Sequence, residues 1–364
     1  VVSYQWYVNG DAILGANSAT YSIAYTPASL NNAKFKVVAA VAGASVTSDE
    51  ATVTVTADTT APFAEAITGS ATFNSVTITF NEPVTDSALT VANYQVTGLT
   101  LSAPTRIDER TVRFTTTRQT ENTVYPVTIN GVRDNANLAS AFTGNFTSFA
   151  FKAGLVTYRT WQNQTGAFST FVDNAIGDLP PTTTELKTVF EANTADQFDN
   201  YFGQLTGLFV PPQNGNYVFF MSSDDHGELY LSTDEDPANK KRIAVEPTWD
   251  GRRVWTGAGT VDGGVYRRGD TAGNGPFENR SDQYADTEWA GGNTIALQAG
   301  KRYYIELLFK EGGGGDNGGA TYKLATAADP ANGTESTITG AVIGALIDPQ
   351  TQPPIITRRP STVK

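Results

Sequence analysis

The chain has 364 residues, 40% of them apolar, with no cysteine, one histidine and a formal net charge of −12. That length allows two or three domains with packed cores, while disulfides, thiolate or multi-histidine metal sites and cysteine nucleophiles are excluded. The acidic balance argues against nucleic acid and anionic membrane surfaces as partners and suits cations and neutral glycans; with no apolar run long enough to span a bilayer, no membrane insertion is expected.

Charged residues make up 17%, below the usual level of about 25%, and short alternating segments rich in Thr, Val and aromatics take their place. In chain order, Ala51–Val55, Ser75–Phe80, Thr111–Thr115, Tyr125–Ile129, Asn216–Met221, Glu228–Leu231, Arg302–Phe309 and Ala320–Leu324 alternate with period two. This is the pattern of half-buried strands. The expected class is all-β, as tandem sandwiches. One short helix is expected over Thr184–Ala192, after Pro180-Pro181. The polar segment Ala57–Pro62 reads as a linker, a change in composition falls near Ala150, and Asp348–Pro354 reads as a third junction. The expected division is therefore 1–57, 58–150, 151–349 and a tail from 350 to 364. Val1 opens the chain without a signal peptide, so the sequence reads as a mature or excised piece.

The chemistry concentrates in the third segment. Gly207–Ser232 (GLFVPPQNGNYVFFMSSDDHGELYLS) carries a hairpin turn signal at Asn214-Gly215, then a strand buried on both faces that ends at Asp224 and Asp225. Lys301–Lys310 forms a later strand, followed by Gly312–Gly319 (GGGGDNGG). Adjacent carboxylates repel, and a dication relieves the repulsion. Calcium takes six to eight hard oxygens, and Asp224 and Asp225 with Asp316 and Asn317 from the glycine loop supply such a set without histidine or cysteine. His226 is expected as a partly exposed loop residue and Glu228 as solvent-facing or loop-supporting. The insert 244–294 offers Trp249, Trp255, Tyr266 and Trp289, whose faces stack on sugar rings if exposed and pack the loop if buried. Glu82-Pro83 and Asp134-Asn135 read as an edge-strand bulge and a strand-end turn.

Three resemblances sharpen this reading. The opening YQWYVNG…AILGANSATYSI…VTSDEATVTV resembles bacterial immunoglobulin-like repeats, with Trp6 at the position of the buried strand-C tryptophan. No disulfide is possible, and the two strands that should precede Trp6 are absent. VTITFNEPV, NYQVTG and YPVTINGVRDNANL resemble a second immunoglobulin-like family, of surface-layer type. The Gly207–Ser232 run together with ALQAGKRYYIELLFKEGGGGDN looks like the protective-antigen-type β-sandwich lectin domain found in flocculins, adhesins and some glycosidases. That last resemblance implies an Asp224-Asp225 cis peptide, calcium held by Asp224, Asp225 and Asn317, less directly by Asp316, and sugar hydroxyls completing the coordination. It implies an exported bacterial adhesion module that binds glycans on cells or matrix, carried on immunoglobulin-like spacers. Two alternatives accompany it: a structural subunit of an extracellular filament, in which Pro353–Val363 of one copy adds a strand to the first unit of the next, and an accessory region of a polysaccharide-degrading enzyme. No pair of catalytic carboxylates can be assigned, so no enzymatic activity is expected.

Overall fold

A computed structural model describes residues 2–23, 25–173, 177, 179–192, 198–256 and 279–350. They form two compact units that divide between Ser148 and Phe149, and almost all of the regular structure is antiparallel strand. Among the described residues, no helix is long and apolar enough to cross a membrane.

The first unit opens with one five-stranded sheet built from Ser3–Val8, Asp11–Ala12, Lys34–Val41, Ala44–Thr47 and Ala51–Thr52. Trp6 lies opposite Val37 in the register and donates its indole Nε1–H to the Ser18 carbonyl at 3.0 Å. It is half-buried, not buried as the immunoglobulin-like pattern implies. A single sheet without a facing layer covers little, and among described residues before Ala57 the buried apolar side chains are Ala16, Ala33 and Phe35.

The remainder of this unit pairs a four-stranded sheet (Ala64–Thr68, Ser75–Phe80, Thr111–Thr116, Leu101–Arg106) with a three-stranded one (Ala139–Thr147, Val124–Arg133, Tyr94–Val96). Alternation decides the inner faces. Val76, Ile78, Phe80, Val112 and Phe114 of the first meet Tyr94, Val96, Tyr125, Val127, Ile129 and Phe146 of the second in one core.

In the second unit an eight-stranded sheet faces a three-stranded one. The large sheet runs Ala150–Ala153, Ile343–Ile347, Tyr201–Phe209, Tyr303–Glu311, Gly227–Ser232, Lys240–Glu246, with Val156–Trp161 also on Tyr201–Phe209 and Thr183–Lys187 on Val156–Trp161. The small sheet centres Gly215–Asp224 between Ile295–Leu297 and Asn317–Leu324. Tyr217, Phe219 and Met221 of the central strand point into the core shared with Tyr201, Leu205, Leu307 and Phe309. Its other face carries Val218 and Phe220, which cluster with Trp255. The insert therefore supplies a third layer, and that layer is why this strand is buried on both faces.

Two expectations are corrected, and one lies beyond the described residues. Thr183–Lys187 is a strand, paired with Val156–Thr160, where a helix was expected over Thr184–Ala192; the β-branched threonines favour an extended edge. The short helix is instead Phe168–Asp173, with Phe168 and Phe171 packed on Trp161, Phe202 and Tyr230. Asn214-Gly215 does not turn a hairpin: the strands on either side belong to different sheets, and the Asn214 side chain instead accepts from the Ala299 backbone N–H at 2.8 Å. The filament reading rests on Pro353–Val363, which lies outside the described residues.

Candidate functional site

The Gly215–Asp224 strand and the Asn317–Leu324 strand run antiparallel in continuous register, and their final pair is Asp224 opposite Asn317. The aspartate end and the glycine loop are therefore at the same end of the small sheet. Asp225 crosses to the large sheet: its backbone N–H donates to the Lys310 carbonyl at 2.5 Å, and its Oδ2 accepts from the Gly312 N–H at 2.8 Å. The Asp224-Asp225 peptide bond is cis.

The loop, which crosses from the large sheet to the small one, is shorter than the glycine run suggests. The first strand continues to Glu311 and the second begins at Asn317, so Gly318 and Gly319 are strand residues. Gly314 alone within 312–319 has a positive φ, +119°. A side chain at Gly318 would sit 2.6 Å from the Phe309 ring; close packing, rather than a bend, requires glycine there.

Glu311 is the residue that sequence reasoning missed. Its carboxylate and those of Asp224 and Asp225 place one oxygen each within 4.8 Å of one another. Glu311 is fully buried, and neither of its side-chain oxygens has a hydrogen-bond partner. Burial, then the charges of Asp225, Asp224 and Asp316, push its carboxyl up to about 8, against the opposing charge of Lys310. Lys310 is itself buried, its ammonium drawn below the usual range and donated to the Glu311 backbone carbonyl. The available signal was an acid closing the strand just before four glycines.

The expected ligands divide. Asn317 is buried; its Nδ2 donates to the Asp250 carbonyl at 2.8 Å and its Oδ1 accepts nothing. Asp316 is buried with its Oδ2 accepting from the Tyr201 hydroxyl at 3.2 Å, and is not one of the three clustered carboxylates. Asp250, from the insert, joins this wall. Its N–H donates to the Ser223 carbonyl at 2.8 Å and its Oδ2 accepts from Asn279 Nδ2 at 3.3 Å. Burial raises the Asp250 carboxyl, opposed by hydrogen bonds with Glu246 and Asn279.

An uncompensated buried carboxylate is costly, and here Glu311 has both oxygens unmet beside two half-exposed acids and an orphan amide oxygen. An all-oxygen donor set of this charge fits a hard dication. Calcium fits better than magnesium, which demands near-octahedral geometry, and soft metals lack ligands here.

The aromatic residues separate by burial. Trp249 is 49% exposed, and its backbone bridges Asp224. Trp255 is wholly buried against Val218 and Phe220, its Nε1–H donated to the Thr334 carbonyl at 2.9 Å, so it is a core residue and not a sugar platform. Trp289 is half-buried and packs on the main core. Tyr266 lies outside the described residues. His226 is also corrected, as is the solvent-facing alternative for Glu228: both are buried. The imidazole stacks on Phe168 with ring centroids 4.3 Å apart, and Glu228 takes an ion pair from Arg242 and a short hydrogen bond from the Tyr230 hydroxyl. Glu228 shares with Tyr230 the strand face opposite Leu229 and Leu231, and Arg242 meets its charge there.

No protein-family model and no curated protein matches the chain. Among solved structures it is similar to the A domain of epithelial adhesin 6 from Candida glabrata, in complex with Galβ1-3GlcNAc, at 12% identity and a TM-score of 0.33, over 57% of this chain and 94% of that one. It is also similar to the PA14 domain of the antifreeze protein MpAFP, at 14% identity and a TM-score of 0.32, over 54% and 92%. A β-glucosidase from Kluyveromyces marxianus, in complex with glucose, matches at 15% identity and a TM-score of 0.27, over 47% of this chain but 16% of the enzyme. At such scores a likeness transfers neither a ligand nor an activity.

Proposed function

We propose that the second unit is a calcium-dependent glycan-binding module of a bacterial adhesin, working outside the cell. The observation that carries this reading is the meeting of the Asp224, Asp225 and Glu311 carboxylates within 4.8 Å, with the unmet Asn317 amide oxygen on the facing strand end. Glu311 and Asn317 would form the buried floor of the ion site, and Asp224 and Asp225 its half-exposed rim. Bound there, calcium supplies open coordination positions for vicinal hydroxyls. Trp249, half-exposed on the backbone that bridges Asp224, offers an apolar face to the sugar ring. The sequence resemblance to lectin domains of the protective-antigen type supports the same assignment.

A binding role fits these acids better than hydrolysis. Glycosidase carboxylates stand roughly 5–10 Å apart across the scissile bond, whereas these converge on one point. The test is a glycan array on the full chain in calcium, repeated in chelator and with Asp224→Asn/Asp225→Asn. Retention of glycans in calcium alone is expected. Glycan retention that persists in chelator, or in the double variant, would overturn the reading.

A further inference from the structure

The first unit holds a second group of acids. Asp58 in the linker, Glu82 just after the Ser75–Phe80 strand and Asp134 at the end of the Val124–Arg133 strand each place one carboxylate oxygen within 4.8 Å of the others. Two of these acids lie in motifs that read as a bulge and a turn. The turn is present: Asp134 Oδ1 accepts from the Leu138 N–H at 2.9 Å, and Asn137 has a φ of +67°. That turn does not account for the other carboxylate oxygen. Asp134 is 2% exposed, and its Oδ2 is buried with no hydrogen-bond partner. A buried carboxylate oxygen without a donor leaves its desolvation unrepaid.

Nor, among the described residues, does a neighbouring arginine meet the charge. The Arg133 guanidinium is bonded to Asn137, Arg106 to the Val84 and Thr85 carbonyls and Asp86, and Arg110 to the Phe80 carbonyl and Glu65. Glu82 Oε1 accepts from Asn81 Nδ2 at 3.0 Å, and Asp58 Oδ1 accepts from the Thr60 N–H at 2.9 Å. Three acids drawn from the linker, one sheet and the other sheet thus converge on a point, and one of them is buried with an oxygen unmet.

We infer that Asp58, Glu82 and Asp134 form a second calcium site, which clamps the linker after Ala57 onto the sandwich that follows. Asp134 supplies the buried ligand, Glu82 the half-buried one and Asp58 the exposed third, with water filling the remaining positions. Calcium tolerates such an irregular, partly hydrated oxygen set. With three carboxylates, one of them exposed, the expected Kd is about 10⁻⁴–10⁻³ M, in the range of extracellular calcium modules.

The test is calcium titration calorimetry on the full chain, with Asp224→Asn/Asp225→Asn removing the site of the second unit. The wild type is expected to take two equivalents of calcium, and the double variant one. Adding Glu82→Gln, which leaves the Leu138 turn bond intact, should abolish that remaining equivalent, and Asp134→Asn should do the same. In the double variant, calcium at ten times its Kd should also slow proteinase K cleavage within 57–62 by about tenfold. The proposal is overturned if the double variant binds no calcium up to about 10 mM, well above that range. It is equally overturned if the remaining equivalent survives both Glu82→Gln and Asp134→Asn, or if bound calcium leaves the linker cleavage rate unchanged.

Discussion

The acidic clusters of the two units share an inventory and differ in construction. Each has three carboxylates within 4.8 Å, and each contains one buried acid with an oxygen that no donor meets, Glu311 in one and Asp134 in the other. The Glu311 cluster sits on strand ends held in register, with Asp225 fixed by the Gly312 N–H and Asp224 opposite Asn317. The Asp134 cluster relies on an exposed linker residue, Asp58, for its third member. For calcium, affinity follows ligand charge and site rigidity, so the two should separate by orders of magnitude and take different duties. The rigid site, beside an exposed tryptophan, can present an ion to a ligand. The looser one can tether a linker.

The largest effect should come from Asp224→Asn/Asp225→Asn. Loss of two charged ligands is expected to weaken the tighter of the two calcium-binding steps by at least about a hundredfold, beyond what outer-shell changes cost, and to leave the weaker one in place. Calorimetry reads both steps; a uniform fall in the two would erase the contrast between the clusters.

Next is the pH response of the metal-free chain. Folded Glu311 keeps its proton to about pH 8, whereas its ordinary value is 4.5. Between those values the folded state binds more protons than the unfolded one, so stability is greatest below about 4.5 and falls as pH rises toward 8. The expected contribution is at most about 5 kcal/mol, measured by urea unfolding in chelator across that window. Glu311→Gln or saturating calcium should flatten the profile, and an unchanged slope in Glu311→Gln would remove Glu311 from the site.

Trp249→Ala should weaken glycan retention about tenfold, equivalent to about 1.4 kcal/mol, while leaving calcium affinity within about twofold. A parallel loss of calcium affinity would show that Trp249 holds the metal loop rather than the sugar.

The smallest effect belongs to the looser cluster. Calcium at ten times its Kd there should add about 1.4 kcal/mol to the first unit, a rise of roughly 3–6 °C in its thermal midpoint. Glu82→Gln should abolish that rise, which differential scanning calorimetry can follow in the Asp224→Asn/Asp225→Asn background.

Much of the fold in both units was legible because its signals are local. Alternation marked the strands at Ser75–Phe80 and Gly227–Ser232 to within a residue or two, and adjacent acids at a strand end flagged Asp224 and Asp225. The failures share a cause. Trp249 and Trp255 look alike in an insert rich in glycine and arginine, but one is half-exposed and the other closes the outer face of the central strand. Thr184–Ala192 had a plausible helical spacing, yet an open edge beside Val156–Trp161 captured Thr183–Lys187 as a strand. Glu82 and Asp134 each have ordinary turn chemistry, and nothing near either one in the chain indicates that they meet.

The sequence by itself determined the all-β class, the oxygen-only donor chemistry and the two aspartates, since composition and period-two alternation are properties of neighbours along the chain. Only the tertiary structure decided that Glu311 completes the first acidic cluster, that Asp58, Glu82 and Asp134 form another, and which tryptophan faces water. Strand register and sheet stacking bring together residues distant in sequence, and burial then sets which charges lack a partner.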